Sequence, residues 1–359
     1  MLPTRSLILG LLLALSPVTA LVAQDPVVTE TGGAELALQR KWQQAIESLT
    51  LLLAAEPENT EALRWRAHAY TGAEQYALAL ADLDRALELG SRDAWTHYAR
   101  GMCLHHLGRQ EDAVAAYTRT IALDPAFQKA YEWRGFTRSL LGNQVGAIAD
   151  LDVALRIDDG NPWLRFIRGK AFAALLDFER AEPDFWKVVD CQPRHDDAQC
   201  QLGYLKACLG EEAAAIGFLE KGLQLDAAQQ FEARPWLHQL HARAGDAQAA
   251  AAQLEEIAAA TDADGIDPAA LTWVRHLAAH LRGELGLDAL LARAVAEATK
   301  PAEVASRRCA ALLHAGLVAQ RRDDKATALV LLARAVATEA TDQWEWSMAR
   351  RQLRMLAGD

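Results

Sequence analysis

Small residues recur along the chain at a fixed spacing of 34 residues, with apolar positions at helical spacing between them. Five of these residues share one register: Ala67, Gly101, Gly135, Gly169 and Gly203. A second small residue follows each of them by twelve positions, at Ala79, Ala113, Ala147, Ala181 and Ala215. Small residues let two helix axes approach closely, as ridge-into-groove packing requires. The pattern therefore predicts pairs of short amphipathic helices, one pair in each period.

Residues that stop helices stand where such pairs need turns. Gly108 and Gly142 fall between the two helices of a unit, where glycine can adopt positive φ. Pro57, Pro125 and Pro193 fall at unit ends, where proline prevents the second helix from continuing. Helix, turn and stop therefore return in the same order along the chain.

The residues at these positions resemble the tetratricopeptide repeat (TPR) family. The matching residues are Trp65, Ala67, Tyr70, Tyr76, Ala79, Ala86 and Leu89 in one unit, and Tyr98, Gly101, Leu107, Gly108, Ala113, Tyr117, Asp124 and Pro125 in the next. The resemblance implies an all-α, right-handed superhelical solenoid of TPR helix hairpins that ends in a C-terminal capping helix. It also implies that the first helices of the units line a concave groove.

The register divides the chain into five parts. Residues 1–23 are a predicted signal peptide, and 24–59 are a linker and a partial N-terminal repeat. Residues 60–229 form five TPR units of 34 residues, 230–308 are divergent helical repeats, and 309–359 are a TPR-like unit plus the capping helix. Trp344 and Trp346 of that last helix either cover the end of the array or form an exposed dimer patch, and a terminal repeat has to cover its neighbour's core.

The first residues have the features of a signal peptide. Arg5 precedes an apolar run from Leu7 to Leu15, and small residues suit cleavage after Ala20 or Ala23. The alternative is a retained anchor, but the run is shorter than the ~20 residues of a spanning helix. We therefore expect an exported protein, periplasmic or extracellular, without an integral membrane segment after cleavage.

The C-terminal third also resembles bacterial envelope TPR scaffolds. The similarity rests on Trp273, on Gly283 to Leu291, on Cys309 to Gly316 and on Glu345 to Ala349. No cysteine follows the apolar run of the signal region, so a lipid anchor is not implied.

Composition narrows the possible functions. The 359 residues are 51% hydrophobic, and 37 Lys and Arg against 48 Asp and Glu give a net charge of −11. An acidic chain disfavours general nucleic-acid binding, which needs a cationic face. Neither a Gly-x-Ser-x-Gly motif nor a phosphate-binding glycine loop occurs. We predict a protein that is not an enzyme and that uses no cofactor.

Charged residues also recur with the period. Arginine stands at Arg66, Arg100, Arg134 and Arg168, and aspartate at Asp82, Asp150 and Asp184, with Ala116 as the exception. We predict ion pairs between the two helices of one unit, with Arg100 using another acceptor. An arginine ladder for phosphate or nucleic acid is the weaker interpretation, because paired charges are common inside repeats.

The concave groove is the candidate site for a protein or peptide partner. In the resembled fold, set positions of each first helix face inward, and here they hold aromatic residues with a few charged ones. Aromatic rings interleaved with cations suit an extended peptide or a partner helix. The alternative is that several rings pack between units, with Phe166 and Trp163 the strongest examples. The predicted groove residues are Arg64, His68, Trp95, Tyr98, Met102, His105, Glu132, Phe136, Phe166, Lys170 and Tyr204.

Two other readings stay open beside the scaffold. His276 and His280, four residues apart, and His238 and His241, three apart, have chelating spacings without a clear third ligand, so a metal-dependent enzyme is an alternative. A structural subunit of an envelope complex is another, and an oligomer is possible. A disulfide between Cys191 and Cys200 is conceivable across one turn.

Overall fold

The computed structural model describes residues 29–228, 230–261, 264–340 and 344–358, and every regular element among them is a helix. The predicted signal peptide, residues 1–23, lies outside this part of the chain. The chain divides into two compact units between Leu141 and Gly142. The predicted all-α class built from TPR helix hairpins is confirmed.

Seven helices form the described part of unit 1. They are α1 (Glu30–Leu38), α2 (Trp42–Ala55), α3 (Thr60–Gly72), α4 (Tyr76–Glu88), α5 (Ala94–His106), α6 (Gln110–Leu123) and α7 (Gln128–Leu140). Polar caps begin several of them: Asn59 accepts a hydrogen bond from the Ala62 amide at 2.9 Å, and Asp93 accepts one from Thr96 at 3.0 Å. Such caps satisfy donors that a helix start leaves free.

The small residues of the 34-residue register are contact points between the two helices of a hairpin. A Cβ built on Gly101 in α5 would lie 2.5 Å from the ring of Tyr117 in α6, and that tyrosine is completely buried. Gly108 follows α5 with φ of +76°, a conformation that glycine adopts without strain. The predicted turn and the predicted close approach are thus both present.

Unit 2 contains twelve helices in its described residues. They are α8 (Gln144–Ile157), α9 (Pro162–Ala174), α10 (Phe178–Cys191), α11 (Asp196–Leu209), α12 (Glu212–Leu225), α13 (Ala233–Arg243), α14 (Ala247–Ala259), α15 (Pro268–Leu281), α16 (Leu287–Ala296), α17 (Pro301–Arg321), α18 (Lys325–Val336) and α19 (Trp344–Ala357). Gly169 against Phe185 and Gly203 against Leu219 repeat the contact seen in unit 1.

The C-terminal hairpin departs from the template in length. Helix α17 has 21 residues and begins at Pro301, whereas the repeat register starts its last unit at residue 309. The additional turns begin at Pro301, because proline is well tolerated in a first helical turn. Arg307 lies in these turns and is buried. The register still holds further on, because Gly316 packs against Leu332 of α18.

Helix α19 packs against α17, α18 and α11 of unit 2. Met348 and Ala349 of α19 share one apolar core with Cys208, Leu219 and Leu313. The predicted capping helix therefore covers the last hairpin, and it also lies on the first helix of the repeat at 196–229.

Candidate functional site

The first cluster of predicted groove residues surrounds one histidine in unit 1. The ring of His68 lies 5.7 Å from Trp42, 5.8 Å from Trp65 and 6.0 Å from Trp95, each in an edge-on arrangement. All four side chains are half-buried. Burial lowers the pKa of His68 below its ordinary value, so the ring is neutral at pH 7. We call these four residues the Trp–His cluster.

Arg64 lies at the edge of the Trp–His cluster. Its guanidinium carbon is 5.3 Å from the centre of the Trp95 ring, within cation–π range. The same guanidinium forms ion pairs with Glu61 and, at 3.3 Å, with Asp93. Arg64 therefore holds Trp95 in place with its charge already compensated.

A second cluster combines two histidines with aromatic rings on α4, α5 and α7. His105 lies 5.3 Å from Trp133 and 5.5 Å from Phe136, and His106 stacks on Tyr76 at 4.3 Å. Burial and the neighbouring His106 lower the pKa of His105. We call Tyr76, His105, His106, Trp133 and Phe136 the His–aromatic cluster.

Three other predicted residues of unit 1 belong to neither cluster. Tyr98 and Met102 pack against the apolar core, and burial raises the pKa of Tyr98 to about 12. Glu132 is only 2% exposed, and its Oε2 accepts a hydrogen bond from Lys129 at 2.8 Å. Of these three side chains only Glu132 is buried, whereas Tyr98 and Met102 are half-buried.

The predicted residues of unit 2 are largely covered. Phe166 is 9% exposed and lies 6.0 Å from Phe185 and 5.0 Å from His195, as the core alternative expected. Lys170 is exposed, with its ammonium 5.8 Å from the Phe166 ring. Tyr204 lies between Trp236 at 5.2 Å and Trp344 at 6.1 Å.

Helix α19 is the element that covers Tyr204. The Trp344 indole stacks on Phe178, and its Nε1 donates to Oε1 of Gln201 at 2.7 Å. Arg351 donates to the Leu209 carbonyl at 3.1 Å. The inner positions of the repeat at 196–229 are thus occupied by a segment of the same chain.

Three of the recurring arginines pair with an aspartate on the second helix of their own repeat or of the preceding repeat. Arg66 pairs with Asp82 at 2.7 Å and Arg168 with Asp184 at 2.8 Å, while Arg100 uses Asp84 at 2.6 Å. These three predictions are confirmed. Because these three guanidinium groups already pair with carboxylates, they do not support the interpretation of an arginine ladder for phosphate.

The histidine pairs have ordinary partners. His276 hydrogen-bonds Glu297 at 3.0 Å and Arg293 at 2.8 Å, and Nδ1 of His280 lies 2.8 Å from the Leu285 carbonyl oxygen. His238 lies 2.9 Å from the Ala250 carbonyl oxygen. Within the described residues, no group of three histidine, cysteine or acidic side chains could hold a metal ion.

The cysteines and the helix lengths add two observations. Cys191 and Cys200 are both free, Cys191 exposed and Cys200 buried, so the conceivable disulfide does not form in this structure. Across the described ranges, no helix combines the length and the apolar character that crossing a bilayer demands.

Sequence reasoning missed three tryptophans of the two clusters. Trp65 and Trp133 occupy the same position of their 34-residue repeats, two periods apart. This position is next to the predicted inward position. That repetition was a usable signal. Trp42 lies on α2, a second helix, and only the packing of its ring on Gly72 at the end of α3 brings it to the cluster.

Comparisons with known proteins agree with the repeat register. The sequence profile of the tetratricopeptide repeat matches residues 94–127, which is one of the units defined by spacing. RNA polymerase II-associated protein 3 from Homo sapiens is 25% identical over 139 residues, covering 38% of this chain and 21% of that protein. Tetratricopeptide repeat protein 28 from Mus musculus is 36% identical over 73 residues, covering 20% of this chain and 3% of that protein. The chain thus spans about a fifth or less of these relatives.

Among solved structures, the C-terminal part of a TPR repeat-containing protein from Cytophaga hutchinsonii is similar with a TM-score of 0.54 and 19% identity. The similarity covers 63% of this chain and 93% of that one. At this identity, the likeness concerns the fold alone.

Proposed function

The chain is a tetratricopeptide repeat protein, and on that premise we propose that it is an exported, non-catalytic scaffold. In this proposal, the Trp–His cluster and the His–aromatic cluster of unit 1 together bind an extended segment or a helix of another protein. We call the two clusters together the binding face. The fold itself indicates protein–protein interaction, and the choice of face, the kind of partner and the export are our proposals.

The observation that carries the proposal is the concentration of half-buried aromatic rings in unit 1. Tryptophan is among the residues that contribute most to binding energy at protein interfaces, especially where the ring already sits in a rigid setting. Trp95 is such a ring, held by Arg64 and by His68. His68 is neutral and the charge of Arg64 is paired with carboxylates, so the face fits a mainly apolar partner segment.

Unit 2 does not offer an equivalent face at its 196–229 repeat, because α19 already covers Tyr204 there. This internal contact also illustrates the type of ligand that inner positions accept. It is a helix that inserts a tryptophan between rings and donates a hydrogen bond to a polar side chain. We therefore place the partner on unit 1.

Affinity capture tests the proposal directly. The purified exported chain is compared with a Trp95→Ala/Phe136→Ala variant in capture from an envelope extract, after circular dichroism has established that both are folded. Leu78→Ala is the matched control, since Leu78 lies on α4 of unit 1 and its side chain is 51% exposed. We expect a specific partner to be lost from the double variant and kept by the control. Retention of every captured protein by the double variant would overturn the proposed face.

Export is tested separately by cell fractionation and N-terminal sequencing. We expect the mature chain in the exported fraction, beginning after Ala20 or Ala23, and a chain without residues 1–23 to remain in the cytoplasm. An uncleaved chain in the cytoplasm would contradict this part of the proposal.

A further inference from the structure

Unit 2 contains a cavity of about 220 Å³ that the scaffold function does not use. It lies where the start of α15, the first turns of α17 and the start of α13 meet, with one residue from α19. The volume is below the ~300–1,000 Å³ of pockets for drug-sized ligands. It equals about seven waters at ~30 Å³ each, which suits a molecule the size of an amino acid.

Two nitrogen atoms of residues that line this cavity have no hydrogen-bond partner among the described residues. Arg307 is 6% exposed, and its Nη2 pairs with Glu303 at 2.5 Å while its Nη1 has no acceptor. His314 is 1% exposed, and its Nδ1 is unpaired. Burying a polar atom without a partner costs free energy, so a ligand group that hydrogen-bonds to either atom would gain binding energy.

The cavity presents both signs of charge. Arg307 favours a carboxylate, because its Nη1 has no acceptor and can donate a charge-assisted hydrogen bond to one. Glu232, Asp267, Glu303 and Glu345 also line the cavity. Glu303 pairs with Arg307 and Asp267 caps α15, while Glu232 and Glu345 favour a cation. Glu345 is oriented by Trp236, whose Nε1 donates to it at 3.1 Å.

The remaining wall is apolar and aromatic. Trp273 and Leu277 line one side, and the guanidinium of Arg307 lies 5.5 Å from the Trp273 ring. This ring offers a surface for a ligand side chain and at the same time holds Arg307 in position. A phosphate would meet an unfavourable surplus of carboxylates, whereas a plain amine would leave Nη1 of Arg307 unpaired.

We propose that this cavity binds a free α-amino acid. Its carboxylate pairs with Arg307, its ammonium group faces Glu232 and Glu345, and its side chain lies against Trp273. His314 offers its unpaired Nδ1 to the same ligand. The inference is independent of partner binding on unit 1.

Calorimetric titration of the full exported chain with each of the twenty L-amino acids tests the site. We expect at least one to bind with a stoichiometry of one. The tightest binder is then compared with its decarboxylated amine and with the hydroxy acid that lacks the ammonium group. The amine leaves Arg307 without a carboxylate, and the hydroxy acid leaves Glu232 and Glu345 without an ammonium group. We therefore expect each analogue to bind at least ~10-fold more weakly. Absence of saturable binding by any amino acid, or an analogue that binds equally well, would overturn the proposal.

Variants locate the site. Glu232→Gln removes one carboxylate from an exposed residue and should fold normally, and Arg307→Lys keeps the charge but loses the fork of donors. We expect both to weaken binding by about 10-fold or more. Glu255→Gln, at an exposed position of α14 outside the cavity, should bind like the parent. If Arg307→Lys fails to fold, Glu232→Gln decides alone, and unchanged binding by it rejects the site.

Discussion

The guanidinium of Arg66 binds both carboxylate oxygens of Asp82, with Nε to Oδ2 at 2.8 Å and Nη2 to Oδ1 at 2.7 Å. The two residues lie sixteen positions apart, on the two helices of one repeat. Asp82 is only 7% exposed, so the pair lies at the edge of the core. Arg168 and Asp184 repeat the geometry in unit 2.

Breaking this pair should destabilise unit 1. We expect Arg66→Leu to lower the free energy of unfolding by about 2–3 kcal/mol, because Asp82 would remain buried without its main donor. Chemical denaturation measures the change. Arg109→Leu is the control, since Arg109 and Asp112 form an exposed pair, and we expect a change within about 0.5 kcal/mol.

The same experiment has an internal check. Replacing both partners, as Arg66→Leu/Asp82→Leu, should recover at least half of the loss, because no buried charge is left unpaired. A double variant that is less stable than Arg66→Leu would show that the pair is not the source of the effect.

Two glycines of the 196–229 repeat should respond oppositely to alanine. A Cβ on Gly203 would lie 2.6 Å from Leu219, so Gly203→Ala should lose about 1–3 kcal/mol of stability. Gly217 in α12 has open space around the same position, so Gly217→Ala should gain about 0.5–1 kcal/mol from a better helix former. Thermal unfolding of the two variants measures both signs, and equal shifts would reject the close-approach explanation.

The docking of α19 depends on Trp344. We expect Trp344→Ala to destabilise unit 2 by about 2–4 kcal/mol, because the stacking on Phe178 and the hydrogen bond to Gln201 are lost together. Hydrogen exchange should then become faster in α19. Trp186→Ala, at an indole that is 44% exposed, should cost less than about 1 kcal/mol. Unchanged exchange in α19 after Trp344→Ala would contradict the docking.

Stability should fall when the pH is lowered from neutrality, partly through His314. Burial lowers the pKa of His314 from 6.5 to about 3, so the unfolded chain binds the proton first. The contribution of this residue is therefore complete above about pH 6.5 and is lost as the pH falls from there toward 3. One such group changes the free energy of unfolding by up to ~1.4 kcal/mol per pH unit.

Denaturation at pH 7.5, 6.5 and 5.5 measures this slope. His238, whose pKa is also lowered by burial, contributes with the same sign. Comparison with His314→Leu isolates the single residue, and we expect a smaller loss of stability in that variant between pH 6.5 and 5.5. An identical slope in both proteins would show that His314 does not titrate as described.

The repeat positions predicted much of the candidate site, but they did not predict which inward residues another segment covers. The periodic positions predicted that His68, Trp95, His105 and Phe136 would lie on first helices, and these four residues belong to the two clusters of unit 1. The same rule predicted that Tyr204 would face the groove, but the rule contains no information on α19, which covers this residue. A position within a repeat specifies which neighbours inside the hairpin it meets, while coverage by a distant segment depends on the whole unit.

The sequence by itself determined the helix pairs, their turns, the close contacts of small residues and the arginine–aspartate pairs. These features depend on neighbours within one or two repeats, so each leaves a mark that returns every 34 residues. Only the tertiary structure decided where α19 binds and where the cavity around Arg307 forms. The contact between Trp344 and Gln201 spans 143 residues and occurs once. A contact made once has no period, and only the packing of the complete unit selects it.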